Sequence, residues 1–176
     1  MPDRTMASRL AKTGFDLWQE GRLEEAVERY REALSLADPV YFATPEYHGE
    51  LAHVLAALGR DDEARGQYEK YLDLLIKRPD PANDLELDVA RYFLAVHFLK
   101  MRLPSEALTT IEPSLQRPHH PDDQLGPYRR AVRARALWQL GRLDEARQAA
   151  QEAMFVASSE KKRQDIRDGL QDILPD

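Results

Sequence analysis

Apolar residues recur three and four positions apart in one stretch of this chain after another, and short polar bends separate the stretches. Residues at those intervals share one face of a helix, so the pattern predicts an all-helical protein. The first helix is expected over about residues 5–20, with Leu10, Gly14 and Leu17 in one stripe and Ala11, Phe15 and Trp18 beside it. The second, about 23–37, carries Ala26, Val27, Tyr30, Ala33 and Leu34. Thr44 as N-cap and Pro45 at the first helical position open a third, with Leu51, Ala52, Leu55 and Leu58, that runs to about Gly59. The fourth, about 61–77, holds Ala64, Tyr68, Tyr71, Leu72 and Ile76, and the breaker Arg78-Pro79-Asp80-Pro81 ends it. The fifth, about 85–101, is the most apolar and is expected in the middle of the array. The sixth begins at Pro104, and Pro113 should end or kink it. Two more follow at about 127–140 and 143–157. A ninth, about 159–173, shows only the narrow stripe Ile166, Leu170, Ile173 and Leu174, the profile of a terminal cap.

The bends repeat. Gly21-Arg22-Leu23-Glu24-Glu25-Ala26 returns as Gly59-Arg60-Asp61-Asp62-Glu63-Ala64 and as Gly141-Arg142-Leu143-Asp144-Glu145-Ala146. A worn copy, Arg102-Leu103-Pro104-Ser105-Glu106-Ala107, stands between them. The marker alanines Ala26, Ala64, Ala107 and Ala146 are 38, 43 and 39 residues apart, which is the signature of a stacked repeat protein. Glycine enters the left-handed region without steric cost, so the three glycines read as stops between paired helices. The acids after them fall in the first turn of the next helix, where exposed N–H groups favour negative charge.

These units resemble the tetratricopeptide repeat. Ala26 with Tyr30 and Ala64 with Tyr68 match its alanine and following aromatic. Gly14, Ala52, Ala95 and Ala134 stand at the small position of each first helix, and Leu17, Leu55, Phe98 and Leu137 at the large one. Ala33 and Ala153 fill a later small position. The third unit departs, with Arg102 at the bend and Ile111 for the aromatic; the fourth has Ala150 there and Arg133 where Leu is usual. The resemblance implies a right-handed superhelical solenoid of antiparallel helix pairs in a single domain, 1–176. Its repeats would lie at about 5–38, 44–78, 84–116 and 126–158, with a capping helix at about 159–174.

The same resemblance implies a concave surface, lined by the first helix of each pair, that binds a peptide or helix. The inward positions expected are Ser8, Ala11, Phe15, Trp18 and Gln19, then Glu46, Gly49, His53 and Ala56. Val89, Tyr92, Val96 and Leu99 follow, and then Tyr128, Ala131, Arg135 and Trp138. From these, Phe15, Trp18, His53, Tyr92, Val96, Leu99, Tyr128, Arg135 and Trp138 form the candidate peptide-binding set, because aromatic residues and Arg are the usual anchors of an interface. The competing reading is that Phe15, Trp18, Tyr92 and Trp138 are core. Some relatives hold a peptide's terminal carboxylate with Lys, Asn and Arg. The matching positions here hold Ala11, Phe15, Glu50, Val89 and Phe93, so that clamp is absent.

Composition narrows the function. A net charge of −6 disfavours nucleic acid as a partner. Charge is uneven, with 11 basic and 16 acidic side chains over residues 1–80 but 10 and 8 over residues 127–176, either chance or partner complementarity. With no Cys there is no disulfide and no thiolate metal site. No apolar run is long enough to span a membrane and the N-terminus lacks a secretory leader pattern, so a cytoplasmic location is expected. No phosphate loop, nucleophile elbow or His-Glu-x-x-His pair occurs; neither catalysis nor a cofactor is expected. Carboxylates abound, but none is flanked by a pattern expected to desolvate it. The run Tyr128 to Arg135 holds four arginines, read as a solvated face paired with nearby acids; an acidic partner is the alternative. His119-His120-Pro121-Asp122-Asp123 has metal-ligand chemistry but reads as an exposed turn, and His97 as a core histidine. The expectation is a non-catalytic adaptor for another protein or peptide. The alternatives are a scaffold that closes a homodimer through its own apolar surfaces and a ligand-sensing regulator.

Overall fold

The structure, a computed structural model, describes residues 2–79, 85–116 and 123–174. Along them lie α1 (Arg4–Gln19), α2 (Leu23–Leu36), α3 (Thr44–Ala57), α4 (Asp61–Ile76), α5 (Leu85–Lys100), α6 (Pro104–Ile111), α7 (Gly126–Gln139), α8 (Leu143–Val156) and α9 (Glu160–Gly169). Among the described residues all regular structure is helical, and the fold is the expected series of antiparallel helix pairs. The chain divides into two compact units, residues 1–90 and 91–176, with the boundary inside α5.

The bends are alike in detail. Gly21, Gly59 and Gly141 have φ of 77°, 73° and 75°. The glycine N–H donates to the carbonyl three residues back, and the next N–H reaches five back: Arg22 to Leu17 at 2.9 Å, Arg60 to Leu55 at 2.9 Å, Arg142 to Leu137 at 3.0 Å. This is the two-bond closure that satisfies the last carbonyls of a helix. The third bend closes the same way, Leu103 N–H to Phe98 O at 2.9 Å, with Arg102 at φ 59° in the glycine position. The N–H of each marker alanine then starts the next helix by donating to Arg22, Arg60, Leu103 or Arg142.

The bends share a further regularity, one that the sequence reading does not include. Arg22, Arg60 and Arg142 are the N-caps, yet none caps with its side chain. Each guanidinium instead forks onto the carboxylate three residues on, Nε to Oε1 at 2.7 Å in Glu25, Glu63 and Glu145 alike. These arginines hold all three carboxyls below the usual range. Thr44, expected as an N-cap, is instead the first residue of α3. Ala43 is the cap, and the Thr44 hydroxyl donates to the Asp38 carbonyl at 2.7 Å. Pro113 ends α6 as expected: it has no N–H to continue the ladder, and Glu112–Leu115 tightens into a 3-10 turn.

In the first unit α1 packs on α2, α3 on α4, and α2 on α3. Gly14 lies against the Tyr30 ring, where a Cβ would come within 3.0 Å, and Gly49 stands equally close to Tyr71. Ala26, Ala33, Ala52 and Ala64 are sealed from solvent. Tyr71 and Leu75 of α4 close the unit against Leu87 and Ala90. In the second unit α7 packs on α6 and α8, and α9 lies against both α7 and α8. Its core is built on small side chains, with Ala134, Ala136, Ala146, Ala149, Ala150 and Ala153 all at 0% exposure. The helix expected to reach about residue 173 ends at Gly169; Ile166 of α9 and Leu170 and Ile173 of the turn after it are buried.

Two kinds of glycine therefore predict two outcomes. At Gly59 an added Cβ meets nothing within 4 Å, so Gly59→Ala should cost only the left-handed strain, about 1 kcal/mol, read from the urea midpoint. Gly14→Ala must push the Tyr30 ring and should cost about 1–3 kcal/mol. Arg102→Gly should stabilise the chain by about 0.5 kcal/mol.

Candidate functional site

In the first unit three expected residues come together. Phe15 and Trp18 on α1 meet edge to face with ring centroids 5.9 Å apart. Trp18 stacks on His53 of α3 at 6.0 Å, and His53 meets the buried Tyr68 edge-on at 5.3 Å. Phe15 is 41% exposed, and Trp18 and His53 are half-buried, so the row is a surface anchored in the core. Ala11 and Gly49, expected beside them, are buried between helices and belong to the packing instead. The His53 Nδ1 lies 2.7 Å from the Gly49 carbonyl, and burial holds its imidazole below the ordinary value.

Two carboxylates share this face, Glu50 half-buried and Glu46 exposed, where no desolvated acid is expected from sequence. Glu46 and Glu50 sit seven and three residues before His53, on the same side of α3. Partial burial raises both carboxyls above the ordinary value; Glu86 raises Glu46 further while Arg78 opposes it, and Tyr30 opposes the rise at Glu50. Glu50 faces the buried Tyr30 hydroxyl, which burial and then the Glu50 charge hold protonated. Among the described residues neither Glu46 nor Glu50 forms an ion pair. The helical spacing that puts both in register with His53 was the signal for them.

In the second unit the expected residues are engaged by the chain itself. The Tyr128 hydroxyl donates to Asp165 at 3.1 Å, and Arg135 pairs with Asp172 at 2.6 Å and donates to the Gly169 carbonyl. Tyr128 and Arg135 are thus brought together by α9 and the turn after it. Tyr92 and Phe93 meet at 5.3 Å; Val96 is 39% exposed, and Leu99 and Trp138 are half-buried.

The arginine run is not a solvated face throughout. Arg133 and Arg135 reach acids as expected, but Arg129 is buried, pairing with Asp123 and donating to the Ser114 carbonyl at 3.1 Å. His97 is buried in α5, as read from sequence. Of the His119–Asp123 stretch, residues 119–122 lie outside the described residues. Among the described residues no cluster has the make-up of a metal site, and no helix is long and apolar enough to cross a membrane.

Closed bends, small residues between paired helices and a last helix lying against the final pair define a class of helical-repeat proteins. Models of the family described as tetratricopeptide repeat match residues 6–77 and 127–152. The chain is a tetratricopeptide-repeat protein, the family its bends and alanines resemble. Its fold is similar to that of a Podosopora anserina putative kinesin light chain with nearly identical TPR-like repeats (TM-score 0.75, 18% identity, 98% of this chain and 87% of that one). It is similar also to BtubC (BKLC) from P. vanneervenii (TM-score 0.72, 17% identity, 94% and 73%). A third such structure is YrrB, a TPR protein with an unusual peptide-binding site (TM-score 0.62, 19% identity, 95% and 86%). No protein of curated function matches the chain.

Two measurements test this electrostatic picture. His48 and His53 both have folded values held below 6.5 by burial, so the unfolded chain binds protons first. Their contribution to stability is complete above 6.5 and is lost as pH falls below it; His53→Gln should flatten that limb of a urea-midpoint profile. Arg129→Ala strands a buried carboxylate and should cost about 3–5 kcal/mol in the same assay.

Proposed function

We propose that this chain is a non-catalytic protein–protein interaction module that takes a peptide or helix on the Phe15, Trp18 and His53 face of its first unit. Tetratricopeptide repeats are protein-interaction modules, which sets the class. The observation that carries the finer reading is the stacked row itself: an exposed Phe15 and a half-buried Trp18 propped on His53 and Tyr68. Rings held rigid at a surface lose little entropy when a partner covers them, and such aromatics dominate interface energetics. The peptide-binding site named for YrrB gives a fold-level parallel. Tyr92, Val96 and Leu99 are the candidate contacts in the second unit, whereas Tyr128 and Arg135 already hold α9.

A second reading, self-association, has its own support. Val40 and Phe42, in the loop after α2, are 84% and 69% exposed, and Phe155 on α8 is 90% exposed. Light scattering separates the two readings, since a constitutive dimer has twice the 20.2 kDa of one chain at low micromolar concentration.

Trp18→Ala and Phe15→Ala should each weaken capture of the chain's partners from native lysate by about tenfold while helicity by circular dichroism is kept. Equal capture by both variants would move the binding surface elsewhere.

A further inference from the structure

We infer that the segment docking on the α1–α3 face of the first unit is basic, presenting Lys or Arg to Glu46 and Glu50 beside an apolar residue on Phe15 and Trp18. This rests on the peptide-binding reading of that face and names the partner's chemistry.

Charge carries the argument. The first unit holds 11 basic and 19 acidic side chains, a net −8, whereas the second holds 14 and 12, a net +2. Many acids of the first unit are spent locally, as in the Arg22–Glu25, Arg60–Glu63 and Lys12–Asp16 pairs. Glu46 and Glu50 are not, and they occupy one stripe of α3 with His53. The neighbouring acid Glu86 already takes Arg78 at 2.5 Å, and Arg78 also donates to the Phe42 carbonyl, so that guanidinium is committed. Half-burial of Glu50 beside the like charge of the exposed Glu46 makes an unpaired carboxylate there costly in the unbound chain, and a cationic group arriving there offsets that cost. His53 of that stripe stacks on Trp18, whose indole is of the kind that attracts Lys and Arg. An acidic segment meets like charge, and a neutral one leaves both carboxylates without an ion pair.

The test uses the whole chain at about 0.15 M salt, where diffuse attraction is largely screened. Fluorescein-labelled peptides alternating Leu with Lys, Leu with Ser and Leu with Glu are titrated and followed by anisotropy. The Leu–Lys peptide should bind at least about tenfold more tightly than the others, and the double variant Glu46→Gln/Glu50→Gln should erase that margin. The control Glu28→Gln/Asp62→Asn removes the same charge from exposed positions on α2 and α4 and should change affinity less than about twofold. Circular dichroism of each variant confirms the fold. An equal loss in the control, or a Leu–Lys margin that survives the double variant, overturns the inference. If the Leu–Ser peptide binds as well as Leu–Lys and Trp18→Ala abolishes both, the charge inference fails and the peptide-binding reading stands. If no peptide binds, both fail.

Discussion

The whole array depends on how closely paired helices approach. A pair can be drawn together only where one helix offers almost no side chain. The first unit does this by laying the Gly14 and Gly49 backbones on the faces of Tyr30 and Tyr71. Along α7 and α8 the second buries Ala134, Ala136, Ala146, Ala149, Ala150 and Ala153 completely, and Ala150 stands where the aromatic would be. Both solutions give a tight seam, but they differ in what they leave at the surface. Large rings at the seam extend outward as a row, Tyr68 to His53 to Trp18 to Phe15. An alanine seam offers no such row, and α9 covers part of α7 instead.

The two units accordingly have different surface chemistry. The first has the aromatic row, two carboxylates without ion pairs, one of them half-buried, and a surplus of acids. The second has its arginines tied to Asp123, Glu152 and Asp172, one of them buried. Exposed pairs of that kind add little stability individually, whereas the buried Arg129 depends on its partners, since an unpaired guanidinium is hard to desolvate.

Most of the architecture was legible because it repeats. Helical spacing, glycine at three bends and the marker alanines gave the element order, and Pro113 gave the end of α6. The residues misread were those whose role depends on a neighbour distant in the chain. Ala11 and Gly49 were placed on the open surface because angular position alone cannot separate a seam from the edge beside it. Glu50 looks like an ordinary surface acid until packing half-buries it beside Tyr30. Arg129 looks like its neighbours until Ser114 and Asp123 close over it. The Arg-x-x-Glu forks were the exception, a wholly local feature visible three times in the sequence and overlooked there.

The contacts that close a bend join residues no more than five positions apart: the two carbonyl bonds, the left-handed residue and, at three of the four, the guanidinium fork, although the second fork also reaches the first hairpin through Arg60–Glu24 and Arg31–Glu63. The backbone closure of a hairpin's turn is thus specified without reference to any other hairpin. Duplicating or deleting a complete unit leaves the remaining turns chemically intact, so a lineage can lengthen or shorten such a chain in whole units while the surface chemistry of each diverges on its own.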